Sequence, residues 1–187
     1  VSAYSDTQKG IAFTEAPLVH QPSAYVPFSE RVKHELGLPV IAVGRIELDS
    51  AAKDIAQHKY DFLGLGRKLI ADPELPNKCA AGLAQTIRPC IYCYICVSQI
   101  FINKPLICAV NTDVGREYKA DLIASTAETR QRFVVVGGGP GGMEAARLLA
   151  SVGHQVTLFE KEPQLGGTAR IAALAYEPNG GLIDYLS

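Results

Sequence analysis

The chain contains 187 residues, of which 48% are hydrophobic and 20% are charged, so its composition excludes wholesale disorder. Its 18 basic and 19 acidic residues give a net charge of -1, which provides no reason to expect a nucleic acid or an anionic membrane surface as a partner. No apolar run reaches the roughly 18 residues that a membrane-spanning helix requires, so we expect no contact with a membrane.

Residues 1–87 alternate predicted helices and strands. Ser29 is the predicted N-cap of a first helix that ends at Gly37, and Asp49 is the predicted N-cap of a second helix. A further helix is predicted around Pro76–Ala84. Two continuous apolar runs, typical of parallel strands that are buried on both faces, are Pro39–Val43 and Tyr60–Leu65. This βαβα order predicts a parallel sheet with helices outside it.

A glycine–arginine pair follows each predicted strand, as Gly44-Arg45 and as Gly66-Arg67. In a (β/α)8 barrel the site lies at the carboxyl ends of the strands, and the loops after the last two strands often hold a phosphate. Glycine lets backbone N–H groups approach a phosphate, and arginine pairs with it bidentately. The residues alone leave two interpretations open, a phosphate site or turn glycines followed by surface charges.

Residues 88–131 contain four of the five cysteines and then a polar connector from Asn111 to Gln131. The first ten residues lack the apolar core of a signal peptide, and an odd number of cysteines argues against a disulfide framework. We therefore expect a cytoplasmic protein whose clustered thiols are metal ligands. Cys79 lies outside the cluster and is predicted to be a small buried hydrophobic residue.

The clustered cysteines have the spacing of an iron–sulfur site. Cys90, Cys93 and Cys96 recur at every third position, and Cys108 follows after eleven more residues. A C-x2-C-x2-C start is typical of bacterial ferredoxin-type sites, whereas structural zinc sites more often contain two separated C-x-x-C pairs. We interpret the four cysteines as ligands of a [4Fe-4S] cluster, and a zinc site and four unligated thiols are the alternatives.

Residues 132–187 begin a second α/β unit around a glycine-rich turn. Its predicted elements are a strand over Phe133–Val136, a turn over Gly137–Gly142, a helix over Met143–Val152 and a strand over Gln155–Phe159. Gly137, Gly139 and Gly142 satisfy the G-x-G-x-x-G pattern in the strand–turn–helix context that a dinucleotide site requires. Glu160 ends the next strand about 20 residues later, where an acid accepts hydrogen bonds from ribose hydroxyls.

The order of these features closely resembles the iron–sulfur flavoproteins related to 2,4-dienoyl-CoA reductase, trimethylamine dehydrogenase and 2-enoate reductase, whose barrel is that of the Old Yellow Enzyme group. The resemblance covers nearly the whole chain. It is carried by PVIAVGRI (39–46), GRKLIADPELPNK (66–78), IRPCIYCYICVSQ (87–99), CAVN (108–111) and VVVGGGPGGMEAA (134–146).

The resemblance implies an α/β fold in three segments. Residues 1–87 would be the C-terminal part of a (β/α)8 TIM barrel that binds FMN. Residues 88–131 would be the [4Fe-4S] segment and a connector, and residues 132–187 would be the N-terminal part of a Rossmann-like FAD/NAD(P)-binding domain.

The resemblance also implies which residues hold each cofactor. The residues that match the FMN-phosphate segments are Gly44, Arg45, Gly66 and Arg67. The residues that match the [4Fe-4S] ligands are Cys90, Cys93, Cys96 and Cys108. The residues that match the ADP-binding part of the FAD domain are Gly137, Gly139, Gly142, Glu160 and Gly167. In such reductases electrons pass from NAD(P)H to FAD and through the cluster to FMN, which reduces an activated C=C bond of a small-molecule substrate.

Two alternatives accompany this interpretation. The two-residue gap before the third cysteine, Cys96, is that of the trimethylamine dehydrogenase branch, which dehydrogenates amines and holds ADP in place of FAD. A non-enzymatic electron-transfer module is disfavoured because such a carrier needs no second phosphate site. The resemblance implies that the family's catalytic acids would lie upstream of Val1 and that its NAD(P)H domain would lie downstream of Ser187. We therefore name no catalytic residue and expect this segment by itself to be inactive. The sequence does not indicate an oligomeric state.

Overall fold

The computed structural model describes residues 16, 18, 20–119, 127–176 and 179–186. The chain divides into two compact units, Val1–Gly66 and Arg67–Ser187. The segment boundaries predicted at residues 87 and 131 stay predictions, and part of the predicted connector lies outside the described residues. Within the described ranges, every helix is too short or too polar to span a membrane.

Among its described residues, the first unit contains two short parallel strands and two helices. In chain order these are α1 (Val26–Leu36), β1 (Ile41–Ala42), α2 (Leu48–Ala56) and β2 (Phe62–Leu63). Ile41 of β1 lies opposite Phe62 of β2 in a parallel register. Because parallel strands need a crossover connection, α2 supplies the link between them. The predicted α/β class and strand–helix order are confirmed here.

One face of this strand pair packs against the helices. Ala42 is fully buried, in a cluster with Val26 of α1 and Ala51 of α2. The opposite face carries Ile41 and Phe62, which are 55% and 58% exposed, because successive side chains along a strand alternate between its faces. The prediction that both faces are buried is therefore wrong for the described residues.

Both predicted N-caps lie inside their helices. α1 begins before Ser29, whose hydroxyl donates a hydrogen bond to the carbonyl of Tyr25 at 3.4 Å. Pro27 lies in the first turn, where its fixed φ favours a helix and its missing N–H costs nothing. α2 likewise begins one residue before Asp49. The predicted end of α1 is confirmed, since Gly37 follows it with a φ of 64°.

The second unit contains six α-helices and a second parallel strand pair among its described residues. In chain order these are α3 (Arg67–Ala71), α4 (Leu75–Ala80), α5 (Ile95–Phe101), β3 (Arg132–Val136), α6 (Pro140–Ser151), β4 (Gln155–Phe159), α7 (Thr168–Ala175) and α8 (Asn179–Leu186). β3 and β4 pair in parallel along their whole length. β4 has the predicted bounds. α6 begins three residues earlier than predicted because Pro140 occupies its first turn.

The helix predicted around Pro76–Ala84 is interrupted. α4 ends at Ala80, and a short 3-10 helix follows over Ala84–Thr86. Between them Gly82 adopts a φ of 72°, a left-handed conformation that ends an α-helix.

Candidate functional site

The glycine-rich turn joins β3 to α6 and is closely packed. A Cβ atom at Gly142 would lie 1.9 Å from the carbonyl oxygen of Gly137, so only glycine fits there. Gly137 has a φ of 103°, which side chains rarely tolerate. Gly139 is the N-cap of α6 and supplies no side-chain hydrogen bond to it. The first N–H groups of α6 therefore have no intrahelical or cap partner, which is the arrangement that binds anions.

A second glycine loop and an acid lie against this turn. The N–H of Gly166 donates to the carbonyl of Gly138 at 2.8 Å, and a Cβ at Gly167 would lie 3.0 Å from the Cα of Gly139. The carboxylate of Glu160 accepts the N–H of Gly138 at 2.5 Å. The structure thus places Gly167 and Glu160 beside the turn.

The carboxylate of Glu160 is held in its ionised form. Hydrogen bonds from the backbone N–H groups of Glu162 and Gly138 keep the pKa of Glu160 below its ordinary value. An open groove of about 950 Å³ is lined in part by Gly137, Glu160 and Gly167. The groove therefore combines a helix N-terminus with a negatively charged hydrogen-bond acceptor.

The four clustered cysteines line one small cavity in the second unit, together with Arg67 and apolar side chains. Cys96 is buried, Cys90 and Cys108 are half-buried, and Cys93 is exposed. Among the residues that the structure describes, no three histidine, cysteine or acidic side chains are grouped so that they could hold a metal ion. The structure thus places the four thiols around one cavity.

The thiols influence one another electrostatically. Burial raises the pKa of the Cys90 and Cys96 thiols, and the nearby Cys108 raises both further. At Cys90 a hydrogen bond from the backbone N–H of Tyr92 and the charge of Arg67 oppose this rise. Cys90 thus has two neighbours that favour its thiolate, which is the form that ligates metals.

A buried carboxylate anchors the start of the cysteine segment. Asp72 is only 3% exposed, and it accepts the backbone N–H of Arg88 at 2.8 Å and that of Glu74 at 3.1 Å. The ammonium of Lys78 lies 2.6 Å from the same carboxylate. Burial alone would raise the pKa of Asp72, but Lys78 and the two N–H groups lower it below its usual value.

Two further side chains hold the same segment. The buried Asn111 donates from its side-chain amide to the carbonyl of Ile70 at 2.8 Å, which ties the residues after Cys108 to α3. The hydroxyl of Tyr176, just after α7, lies 3.0 Å from the carbonyl oxygen of Ile91 and 3.1 Å from that of Tyr92.

Arg67 lies over two tyrosine rings beside the cysteines. Its guanidinium carbon is 5.3 Å from the ring centre of Tyr92 and 4.8 Å from that of Tyr94. Tyr92 and Tyr94 both have left-handed backbones, with φ of 51° and 63°, and they flank Cys93. The cation–π contacts therefore stabilise side chains whose backbone conformation is unfavourable for non-glycine residues.

The glycine–arginine pairs follow the carboxyl ends of β1 and β2. Gly44 has a φ of 104°, and a Cβ there would lie 2.5 Å from the ring of Tyr25. The guanidinium of Arg45 donates to the carbonyl of His20 at 2.9 Å. A Cβ at Gly66 would meet no atom within 4 Å, so packing does not require glycine there.

Two outcomes differ from the sequence-based expectations. Cys79 is exposed rather than buried, because it lies at the end of α4, which buries only Leu75. The anchoring residues Asp72, Asn111 and Tyr176 were not predicted. Asp72 and Asn111 lie within the segments that carry the family resemblance, whereas no local pattern distinguishes Tyr176.

Comparison with known proteins agrees with this arrangement. Residues 7–86 match the model of the NADH:flavin oxidoreductase / NADH oxidase family, and residues 135–186 match that of the NAD(P)-binding Rossmann-like domain. Residues 7–86 therefore belong to the NADH:flavin oxidoreductase family. This confirms the resemblance read from the sequence.

Three similar proteins illustrate the membership. A metal reductase from Desulforamulus reducens is 42% identical over 154 residues, which are 81% of this chain and 23% of that protein. An NADH oxidase from Thermoanaerobacter brockii is 43% identical over 169 residues, 86% of this chain and 26% of that protein. The solved structure of a 2-naphthoyl-CoA reductase complex superposes with a TM-score of 0.86 and 29% identity, over 92% of this chain and 27% of that one. The chain thus spans about a quarter of the length of the curated relatives it matches.

Proposed function

We propose that this chain carries the cluster-binding and dinucleotide-binding segments of an NAD(P)H-dependent flavin oxidoreductase that reduces an activated C=C bond of a small organic substrate. The observation that carries the proposal is that one compact unit contains both the four-cysteine cavity and the glycine turn. Similarity to the 2-naphthoyl-CoA reductase supports the choice of substrate class.

The donor set at the cavity fits an iron–sulfur cluster. Cys90, Cys93, Cys96 and Cys108 line the same cavity, and thiolates are the usual protein ligands of such clusters. A bound [4Fe-4S] cluster would supply one-electron transfer between two-electron carriers. The protein's part is to hold the four thiols, to favour the thiolate of Cys90 through Arg67, and to fix the loop through Asp72, Asn111 and Tyr176.

The glycine turn fits the ADP part of FAD, or ADP itself. The N–H groups at the start of α6 would bind the pyrophosphate, and Gly137 and Gly139 leave room for it. Glu160 would accept hydrogen bonds from ribose hydroxyls with its ionised carboxylate. Gly167 would keep the second loop close enough to Gly139 to border the same site.

FMN is proposed at the strand ends of the first segment, which we take as the C-terminal part of a (β/α)8 barrel. Gly44, Arg45, Gly66 and Arg67 would hold its phosphate. The open space at Gly66 supports this assignment, since packing alone does not explain a glycine there. A bound flavin would supply hydride transfer, and the residues named here would bind and orient it.

A second candidate is an amine dehydrogenase or demethylase. The C-x2-C-x2-C spacing of Cys90, Cys93 and Cys96, which resembles the trimethylamine dehydrogenase branch, favours it. In that case the glycine turn would hold ADP rather than FAD.

Anaerobic purification of the holoenzyme tests these assignments. We expect iron and acid-labile sulfide at about four atoms each per chain, together with bound FMN. Oxidation of NADH or NADPH coupled to loss of an α,β-unsaturated acid or thioester would support the reductase. Substrate-dependent oxidation of a secondary or tertiary amine, with ADP recovered from the protein, would replace it by the second candidate. Stoichiometric zinc without sulfide would contradict the cluster.

A further inference from the structure

Tyr176 connects the dinucleotide-binding region to the cysteine loop. It follows α7, the helix that begins directly after Gly167 in the second glycine loop. Its hydroxyl lies within hydrogen-bond distance of the carbonyls of Ile91 and Tyr92, residues 85 and 84 positions away in the chain. A tyrosine hydroxyl has one hydrogen to donate, so the two carbonyls share it.

The peptide group between Ile91 and Tyr92 makes a hydrogen bond at each end. Its carbonyl oxygen accepts from the hydroxyl of Tyr176, and its N–H donates to the sulfur of Cys90. A peptide that accepts at its oxygen is polarised, and it donates more strongly from its nitrogen. The tyrosine hydroxyl therefore acts on the Cys90 sulfur through one peptide group without touching it.

Hydrogen bonds to ligand sulfurs are among the factors that set the reduction potential of an iron–sulfur cluster. The reduced cluster carries one more negative charge than the oxidised cluster, so a stronger N–H donor to sulfur favours the reduced form. We propose that Tyr176 is a positioning residue that raises the reduction potential of the cluster through the Ile91–Tyr92 peptide. This inference rests on the cluster proposed at the four cysteines.

The contact also constrains the loop. Tyr92 has a left-handed backbone on one side of Cys93, and its carbonyl is the second acceptor of the Tyr176 hydroxyl. The charge of Arg67 acts on Cys90 as well, and its guanidinium lies over the rings of Tyr92 and Tyr94. Removing the Tyr176 hydroxyl therefore leaves the charges beside the cysteines unchanged.

The test is a redox titration of the holoenzyme, with the reduced cluster followed by electron paramagnetic resonance. Tyr176→Phe should lower the ratio of reduced to oxidised cluster by roughly two- to tenfold at a fixed potential. For a one-electron couple this corresponds to a midpoint that is lower by about 20 to 60 mV. The matched control is Tyr118→Phe, the same chemical change at a side chain that is 75% exposed, and it should leave the midpoint unchanged.

A second variant tests the opposite direction. Replacing Tyr176 by 3-fluorotyrosine makes the hydroxyl a stronger donor, so the midpoint should rise above that of the wild type. If the wild-type protein contains no iron and sulfide, the proposed function itself is contradicted. Intact clusters with identical midpoints in wild type and Tyr176→Phe would overturn only this inference. Loss of the cluster from both Tyr176 variants would show a purely structural role and would overturn it too.

Discussion

Two neighbouring glycines at the start of α6 allow a controlled test of the glycine turn. A Cβ at Gly142 would lie 1.9 Å from the carbonyl oxygen of Gly137, and real Cβ atoms essentially never approach closer than 3.0 Å. Gly142→Ala therefore forces helix and turn apart by about 1 Å. Overpacking of this kind costs about 1–3 kcal/mol. At Gly141 a Cβ would meet no atom within 4 Å, so Gly141→Ala should be neutral or stabilising by up to about 1 kcal/mol.

The assay is thermal unfolding of both variants, with the retained dinucleotide measured after gel filtration. Gly142→Ala should lower the midpoint of unfolding and release the dinucleotide, because the N–H groups at the start of α6 move away from the pyrophosphate. Gly141→Ala should retain both properties of the wild type. Equal stability and equal dinucleotide content in the two variants would refute the close packing as the reason for glycine at residue 142.

Three further predictions concern the cysteine segment and the strand ends. Cys93→Ala should abolish the visible absorbance of the cluster, whereas the exposed Cys79→Ala should not, and absorbance in both variants would contradict the ligand assignment. The pKa of Asp72 is lowered in the folded protein, so its ionised carboxylate stabilises the fold fully above pH 3.8, the ordinary pKa of this group. This stability is lost as the pH falls through the lower pKa of the folded state. Asp72→Asn should lower the free energy of unfolding, measured with urea at pH 7, by about 1–3 kcal/mol. It should also reduce the loss of stability at acidic pH, and a variant that loses stability at acidic pH as the wild type does would exclude this role. Arg67→Ala should weaken retention of FMN by about ten- to a hundredfold while FAD is retained, whereas equal loss of both flavins would argue against a phosphate contact.

The parallel strand pairs show which parts of the fold are predictable. Exposed and half-buried side chains alternate along Gln155–Phe159, and turn residues lie at both ends of this segment. Its predicted bounds are those of β4. The strands of the first unit are shorter than the apolar runs that predicted them. An apolar run indicates which residues are hydrophobic, but it does not indicate which of them pair with a neighbouring strand. The helix predicted to begin at Ser29 starts earlier because Pro27 occupies its first turn, and α2 begins at Leu48 without a side-chain cap hydrogen bond.

The sequence by itself determined the local chemistry of this protein. The spacing of the glycines specifies a turn around which a strand and a helix can pack closely, and the spacing of the cysteines places four thiols on one short segment. Both features depend only on residues that are near one another in the chain. Only the tertiary structure decided which distant groups act on them. The contact of Tyr176 with Ile91 and the stacking of Arg67 on tyrosine rings join positions far apart in the chain. Their geometry depends on how whole elements pack, and no local pattern records it.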